Sequence, residues 1–345
     1  MLATMRTLVW EAPKVMTLHE REVPTPAPDE ALVRVACAGI CGSELSGYLG
    51  HNALRVPPLV MGHEFAGTIT ALGSTAATLN PALAVGLKVT VNPLTACRTC
   101  AYCRRGDSHI CAQRRLIGAH RPGAYAEYVC VPHDLLVPLP PSLGLREGAL
   151  TEPVGVAVRI GILAGPVAGE PVFIAGAGPI GLLSLQVLKR LGAGPIFVSD
   201  LEPARLTMVE ELGGRPINVA REDAVKVVRE QTGGVGAIAS VDAVGASATR
   251  AACIAATRQA GVLVLSGLHE EVGPMPVADI IRRELVLRGS FSYRPADFLA
   301  AVDLLAEGAI RLDPWIVEAD LADGGYWFDR LVTAPGAVAK VLLIP

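Results

Sequence analysis

The chain has 345 residues, a formal net charge of −3 and charged side chains that are dispersed rather than grouped. This length favours two domains, and without a basic run the expected partner is a small molecule rather than nucleic acid. The most apolar stretch, 160–188, is interrupted by prolines and glycines. It therefore predicts buried strands and helices rather than a membrane span.

The first 150 residues are predicted to form a β-rich domain. Short apolar runs at 7–10, 31–36, 66–72 and 88–91 lie between prolines and glycines, the pattern of strands joined by turns. Residues 1–6 lack the features of a secretory signal, so a cytoplasmic location is expected.

Two residues of this β-rich part predict a metal site. Cys41 lies in the sequence Gly-Ile-Cys-Gly-Ser-Glu, and His63 follows 22 residues later in Gly-His-Glu. A thiolate and an imidazole are both zinc ligands, and a catalytic zinc keeps three protein ligands and one open position. An isolated cysteine is more often a buried packing residue. The pair together favours a catalytic zinc.

A second metal site is predicted by four cysteines within fifteen residues. The ligands in this C-x2-C-x2-C-x7-C array are Cys97, Cys100, Cys103 and Cys111. Four thiolates in one loop can close a tetrahedron and leave no position for substrate, so the array predicts a structural zinc. An iron–sulfur cluster is the alternative. Cys37, Cys130 and Cys253 lie outside both groups and are interpreted as packing residues.

A nicotinamide dinucleotide site is predicted where an apolar strand, 172–175, runs into Gly-Ala-Gly-Pro-Ile-Gly and then into a helix, 182–190. The residues of the loop assigned to the cofactor are Gly176, Gly178, Pro179, Ile180 and Gly181. A second strand, 196–199, ends on Asp200, at the position of the acid that holds the ribose 2′-hydroxyl and repels a 2′-phosphate. This favours NAD over NADP. The alternative is a structural strand–turn–helix without a nucleotide.

The remainder of the chain continues the alternation of strands and helices, which predicts a doubly wound parallel sheet. Further strands are expected at 238–241, 262–265 and 285–288. Ser266 and Gly267 follow one of these strands and are assigned to the nicotinamide half of the cofactor. A helix at 297–305 leads to a β-rich end, 338–344, which is expected to return to the N-terminal domain.

Taken in order, the two metal motifs, Thr151-Glu152-Pro153 and the glycine loop resemble the zinc-dependent medium-chain dehydrogenases, above all their polyol, sorbitol-like branch. The resemblance implies an α/β protein of two domains. A GroES-like β-rich catalytic domain would comprise 1–154 and 295–345, and a Rossmann domain would comprise 155–294.

The resemblance also implies roles for individual residues. The catalytic zinc would be held by Cys41, His63 and a glutamate, either Glu64 or Glu152. At the position of Glu152, the alcohol branch of the family has a cysteine. Which carboxylate binds zinc would depend on whether water or substrate occupies the site. Ser43 matches the hydroxyl residue that passes the alcohol proton onward.

The sequence departs from the family pattern at several positions. Ser46 stands where relatives often carry a relay histidine, which leaves Tyr48 or His51 as candidates to complete the proton path. Arg205 resembles an arginine on the adenine side of the cofactor. The segment 291–294, Phe-Ser-Tyr-Arg, replaces a Phe-Arg-Tyr motif, so a sorbitol-like substrate is not assured.

These observations predict a zinc- and NAD-dependent dehydrogenase that acts on a secondary hydroxyl of a polyol, sugar or cyclitol. A secondary-alcohol or amino-alcohol dehydrogenase of the threonine type is the alternative among enzymes. A catalytically inactive protein that binds NAD and zinc is the alternative from another class. The family is commonly dimeric or tetrameric, so a homodimer or homotetramer is expected.

Overall fold

The computed structural model describes residues 3–311 and 313–345. In chain order, the strands are β1 Thr4–Ala12, β2 Val15–Glu22, β3 Glu30–Gly39, β4 Glu64–Leu72, β5 Lys88–Val91, β6 Leu94–Thr95, β7 Arg115–Leu116, β8 Tyr128–Pro132, β9 Leu136–Pro138, β10 Val172–Ala175, β11 Ile196–Asp200, β12 Arg215–Asn218, β13 Ala237–Asp242, β14 Thr257–Leu265, β15 Val286–Gly289, β16 Ile316–Asp320 and β17 Lys340–Ile344.

The helices are α1 Gly42–Tyr48, α2 Ala76–Leu79, α3 Ala101–Arg104, α4 Leu145–Gly148, α5 Thr151–Ala164, α6 Pro179–Arg190, α7 Pro203–Glu211, α8 Ala224–Gln231, α9 Ser247–Ala256, α10 Val277–Arg282, α11 Pro295–Ala306 and α12 Gly324–Thr333. In the described parts of the chain, none of them has the length and apolar character needed to cross a membrane.

The chain divides into two compact units. One contains Met1–Glu152 and Ala301–Pro345, and the other contains Pro153–Ala300. Both divisions fall inside helices, α5 and α11, whereas the sequence analysis places the boundaries after residues 154 and 294. The difference arises because a helix carries the chain across the division at each point, without a loop that sequence could mark.

The second unit is built on a six-stranded sheet in the order β12-β11-β10-β13-β14-β15, and every neighbouring pair is parallel. Its central strand β10 is apolar and buried along its whole length, as expected where helices cover both faces of a parallel sheet. This strand order reverses direction at β10, which makes it the doubly wound order of a Rossmann fold. The predicted α/β class is thereby confirmed.

The first unit is β-rich, with a seven-stranded sheet in the order β16-β17-β3-β4-β5-β9 and β8 paired with β3. The C-terminal strand β17 lies antiparallel to β3, with Leu342 opposite Gly39 and Leu343 opposite Ala38. The side chains of Leu342 and Leu343 are fully buried, so burial of apolar surface holds this strand in place. The C-terminal strand therefore completes the sheet of the first unit.

Candidate active site

The residues predicted to bind a catalytic zinc come together at one edge of the seven-stranded sheet. Cys41 follows β3 and is the N-cap residue of α1, while His63 and Glu64 stand at the start of β4, where Glu64 pairs with Gly39 of β3. The ligand atoms of Cys41, His63 and Glu64 all lie within 4.8 Å of one another. A thiolate, an imidazole and a carboxylate at such spacing form a donor set suited to zinc.

The orientation of His63 depends on a carboxylate that the sequence analysis did not assign, Glu44. Its Oε1 lies 2.7 Å from His63 Nδ1 and accepts a hydrogen bond of 2.8 Å from the backbone N–H of Gly62. Its Oε2 accepts from the backbone N–H of Cys41 at 3.2 Å and from the hydroxyl of Tyr125. Because Nδ1 is held by Glu44, Nε2 is the ring nitrogen left for a metal.

Glu44 is fully buried, and the surrounding donors keep it ionised. Burial raises the pKa of this carboxyl, but the nearby His63 and the hydrogen bonds from His63 and Tyr125 lower it to about 2. Glu44 is also the third residue of a helix capped by Cys41, and it reaches back to the backbone N–H of its cap. That capping pattern is the sequence signal that could have identified Glu44.

Glu64 has a second partner, Lys340, which lies far away in sequence on β17. The Nζ of Lys340 is 2.6 Å from Glu64 Oε2 and 3.1 Å from the carbonyl oxygen of Ile40. The side chains of both ionic partners are at most 2% exposed. Sequence reasoning predicted this strand but assigned no function to the lysine, because nothing local to residue 340 shows which sheet neighbour it faces.

Glu152, the other predicted zinc ligand, lies in the first turn of α5 and is 8% exposed. It is not a member of the group formed by Cys41, His63 and Glu64. Its charge nevertheless acts on Lys340: burial lowers the pKa of that amine, but Glu64, Cys41 and Glu152 together raise it above its ordinary value. Glu152 therefore contributes negative charge to the surroundings of the site.

The predicted hydroxyl residue Ser43 is exposed, and its Oγ donates a hydrogen bond to Cys41 Sγ over 3.5 Å. The structure argues against Tyr48 in a proton path. Its ring is buried against Phe328, with centroids 5.3 Å apart, and its hydroxyl donates to the carbonyl of Lys14. His51 is exposed, and its backbone N–H donates to the carbonyl of Ser46 over 2.9 Å.

The four cysteines of the second array form a compact cluster, and none of the four forms a disulfide. Neighbouring Sγ atoms are separated by 3.5–3.9 Å, as measured for Cys97–Cys111, Cys100–Cys103, Cys97–Cys103 and Cys100–Cys111. Zinc–sulfur bonds of about 2.3 Å in a tetrahedron place the sulfurs about 3.8 Å apart. The spacing fits one metal ion. In a cluster with several iron atoms, thiolates bound to different irons would lie farther apart.

Backbone groups of the same loop favour the thiolate form of two of these cysteines. The N–H of Cys100 points at Cys97 Sγ, and the N–H groups of Cys100 and Thr99 lower the pKa of Cys97 to about 6. The N–H of Cys103 lowers the pKa of Cys100 in the same manner. Two sulfurs of the loop thus have thiolate character, the metal-binding form, whereas burial and the hydrogen bond with Cys100 raise the pKa of Cys103 to about 12.

The glycine loop of the second unit joins β10 directly to α6. Gly176 has a φ of +100°, a conformation that favours glycine. Gly181 lies against the carbonyl oxygen of Gly176, so no side chain fits there. Gly178 is the N-cap of α6, and Pro179 and Ile180 form its first turn. The helix N-terminus is therefore presented for a phosphate group.

Asp200 stands at the end of β11, next to this loop. Its Oδ2 accepts a hydrogen bond of 2.7 Å from the N–H of Ala177, and its Oδ1 accepts one of 2.9 Å from the N–H of Glu202. Arg205 follows on α7, and its buried Nε has no hydrogen-bond partner among the described residues. An acid and an arginine at this edge fit the ribose and adenine half of a dinucleotide.

Ser266 and Gly267 follow β14 at the same edge of the sheet. Their N–H groups donate to the carbonyl oxygen of Asp242, at 3.0 and 2.9 Å. Gly267 also touches the backbone of Val244 and Gly245, which leaves no space for a side chain. Because the carboxyl ends of β10, β11, β13 and β14 meet here, the predicted cofactor residues share one edge of the sheet.

Comparisons with known proteins agree with this geometry. The model of the alcohol dehydrogenase GroES-like domain matches residues 27–141, and the model of the zinc-binding dehydrogenase domain matches residues 179–307. The chain belongs to the zinc-dependent medium-chain dehydrogenases. It is therefore an oxidoreductase with a GroES-like and a Rossmann domain.

Relatives place this dehydrogenase in the polyol-dehydrogenase-like branch. It is 32% identical to L-galactonate-5-dehydrogenase of Escherichia coli (strain K12), over 90% of each chain. It is also 32% identical to D-arabitol-phosphate dehydrogenase of Enterococcus avium, over 99% of this chain and 98% of the relative. A crystal structure from Sinorhizobium meliloti 1021, described as a zinc-binding dehydrogenase bound to NADP, superposes with a TM-score of 0.91. It is 30% identical and covers 99% of this chain and 100% of its own.

Replacing Lys340 with methionine is expected to lower the free energy of unfolding by about 3–5 kcal/mol, because the buried carboxylate of Glu64 loses its counter-charge. Urea denaturation after chelation of zinc measures this loss, because zinc bound to Glu64 would itself supply a counter-charge. The double variant Lys340→Met/Glu64→Gln should recover part of it, since no buried charge then remains unpaired.

Lys226→Met is the matched control for that measurement. The exposed ion pair between Lys226 and Glu230 spans 3.8 Å, and such pairs contribute at most about 1 kcal/mol. If the two lysine substitutions lower the free energy of unfolding equally, the buried pair of Glu64 and Lys340 stabilises the protein no more than an exposed pair does.

Proposed function

We propose that this dehydrogenase oxidises a secondary hydroxyl of a polyol, sugar, cyclitol or sugar acid and transfers the hydride to NAD. The observation that carries the proposal is the group of Cys41, His63 and Glu64, with a second glutamate, Glu152, where the alcohol branch has a cysteine. L-galactonate and D-arabitol phosphate, named in two relatives, are both polyhydroxylated. Their names support this substrate class.

Bound zinc supplies a Lewis acid for the substrate hydroxyl, and NAD supplies the hydride acceptor. The chain provides the other elements of the reaction. Glu44 holds His63 through Nδ1, so that Nε2 faces the metal site. Ser43 Oγ accepts the proton of the substrate hydroxyl, and its own O–H turns from Cys41 Sγ to give its proton to water, to which this exposed serine has access. The carbon then loses a hydride, and the alcohol becomes a ketone.

We propose Glu64 as the third protein ligand in the arrangement seen here, because its carboxylate lies with Cys41 and His63. Glu152 is the alternative carboxylate, for a state in which water or substrate has displaced the first. When Glu64 does not bind zinc, its ion pair with Lys340 leaves neither buried charge unpaired.

The proposed activity is tested by following NADH formation with polyols, sugars, cyclitols and sugar acids, beside simple secondary alcohols and threonine. Substrates with several adjacent hydroxyls should be oxidised best. Chelation should abolish the reaction, and added zinc should restore it. Cys41→Ser should lower kcat at least roughly 100-fold while metal analysis still finds the structural zinc.

Other outcomes of this panel contradict the proposal in distinct ways. Preferential oxidation of threonine or of a simple secondary alcohol would instead identify an amino-alcohol or secondary-alcohol dehydrogenase. Binding of NAD and zinc without oxidation of any compound would indicate a regulatory protein.

We propose NAD rather than NADP as cofactor because the carboxylate of Asp200 would repel a 2′-phosphate. Asp200→Ala should raise the ratio of kcat/KM with NADP to that with NAD by about 10- to 100-fold, or about 1.4–2.8 kcal/mol. The substitution should also weaken the binding of NAD, since the N–H of Ala177 in the glycine loop loses its hydrogen-bond partner. Asp320→Ala is the control, because Asp320 also accepts a backbone hydrogen bond, from Ala322, in the other unit. A ratio unchanged by Asp200→Ala would refute this basis for cofactor choice.

We also propose that the enzyme is a homodimer or homotetramer that works in the cytoplasm on a small-molecule substrate, without nucleic acid or membrane partners. The segment between β14 and β15 exposes several apolar side chains, among them Leu268 at 83%, Val272 at 86% and Ile281 at 68%. Such residues suit contact with a second copy. Light scattering should give a multiple of 35.9 kDa, and the variant Leu268→Lys/Val272→Lys should give a smaller assembly. A wild-type mass of one chain would refute the proposal.

A further inference from the structure

A buried arginine lies directly behind the hydroxyl residue of the site. Arg55 belongs to the loop between α1 and β4, and only 3% of its surface is exposed. Space for its side chain is made by Gly47 on α1, where an added Cβ would lie 2.8 Å from Arg55 Cδ. A long cationic side chain is rarely buried without a specific partner, so its contacts indicate its role.

The guanidinium of Arg55 is directed at Ser43. Nη1 donates to the carbonyl oxygen of Ser43 over 3.1 Å, and Nη2 donates to Ser43 Oγ over 3.3 Å. Asn52 adds a third donor, from Nδ2 to the same carbonyl, over 3.3 Å. Among the described residues, Arg55 forms no ion pair within 4.0 Å, and its buried Nε has no hydrogen-bond partner. Its side chain thus donates two hydrogen bonds to Ser43, and its charge also helps to lower the pKa of the buried carboxyl of Glu44.

These contacts restrict the hydroxyl of Ser43. A serine hydroxyl has one O–H donor and two lone pairs. The O–H is directed at Cys41 Sγ, and one lone pair accepts from Arg55. One lone pair therefore remains for the proton of a substrate hydroxyl. Arginine cannot accept a proton at neutral pH, so it cannot itself continue a proton path.

We propose that Arg55 is a positioning residue that fixes the hydroxyl of Ser43 beside the metal site through its two hydrogen bonds to this residue. The role rests on the proposed dehydrogenase function. Loss of this contact leaves Ser43 free to rotate, and misplacement of a proton-transfer group by about 1 Å can reduce the rate about 100-fold. An effect of about 10- to 100-fold on kcat is therefore expected.

A double-mutant cycle tests whether Arg55 acts through Ser43. Arg55→Met should lower kcat about 10- to 100-fold with little change in the KM for NAD, and Arg55→Lys should recover part of the activity. In a Ser43→Ala background, Arg55→Met should change kcat less than about threefold. Independent, multiplicative effects of the two substitutions would overturn the proposal.

A second measurement does not require turnover. In the cobalt-substituted enzyme, the difference spectrum against Cys41→Ser isolates the charge-transfer band of the Cys41 thiolate. This band should respond to the hydrogen bond from Ser43 Oγ. Ser43→Ala and Arg55→Met should shift it in the same direction, and Arg55→Lys should shift it less. A band unchanged by Arg55→Met would overturn the proposal.

Arg121→Met is the matched control for both measurements. Arg121 also donates to a backbone carbonyl, that of Cys130, and has a buried Nε without a partner, but its ion pair is with Glu30 and not with the metal site. Arg121→Met should lower stability without changing kcat or the cobalt band.

If the wild-type enzyme oxidises none of the substrates, the proposed function fails, while the cobalt spectra still decide whether Arg55 positions Ser43. If Arg55→Met does not fold, Arg55→Lys and Arg55→Gln carry the same comparison.

Discussion

The buried carboxylate of Glu44 is the contact on which the candidate metal site depends. One side chain joins the N-cap of α1 at Cys41, the turn before β4 at Gly62, the ring of His63 and the hydroxyl of Tyr125. A buried anion is stable only if donors surround it. The same donors that stabilise Glu44 thus hold the thiolate and the imidazole at the spacing that a metal requires.

Negative charges outnumber positive ones around this site, which suits a bound divalent cation. Glu44, Glu64, Glu152 and the Cys41 thiolate would bring four negative charges, whereas the buried side chains Lys340 and Arg55 bring two positive ones. A divalent ion bound to a neutral imidazole of His63 would make the sum zero. Because buried charges without compensation are costly, the surroundings of the site favour the loaded state, in agreement with the donor set of thiolate, imidazole and carboxylate.

Features formed by residues close in sequence could be predicted. The four cysteines of the second array lie within fifteen residues, so their spacing alone shows that one loop can surround an ion. The glycine loop is similar, since strand, turn and helix follow one another directly. Tyr48 shows where sequence reasoning fails: it was a candidate for the proton path because Ser46 replaces the relay histidine of relatives, but the face of α1 that carries Tyr48 packs on Phe328. The position of Glu44 in the first turn of a helix could be predicted from the sequence. Its hydrogen bond to His63 could not.

The sequence by itself determined the two-domain α/β class, the ligand types of both metal sites and the dinucleotide loop, because each follows from residue identity and short-range spacing. Only the tertiary structure decided which charges support the catalytic group. Lys340 is separated from Glu64 by 276 positions and reaches it because β17 pairs with β3, which in turn pairs with β4. Arg55 reaches Ser43 because Gly47 leaves room for it. Sheet register and close packing set such contacts, and neither is encoded in the spacing of residues along the chain.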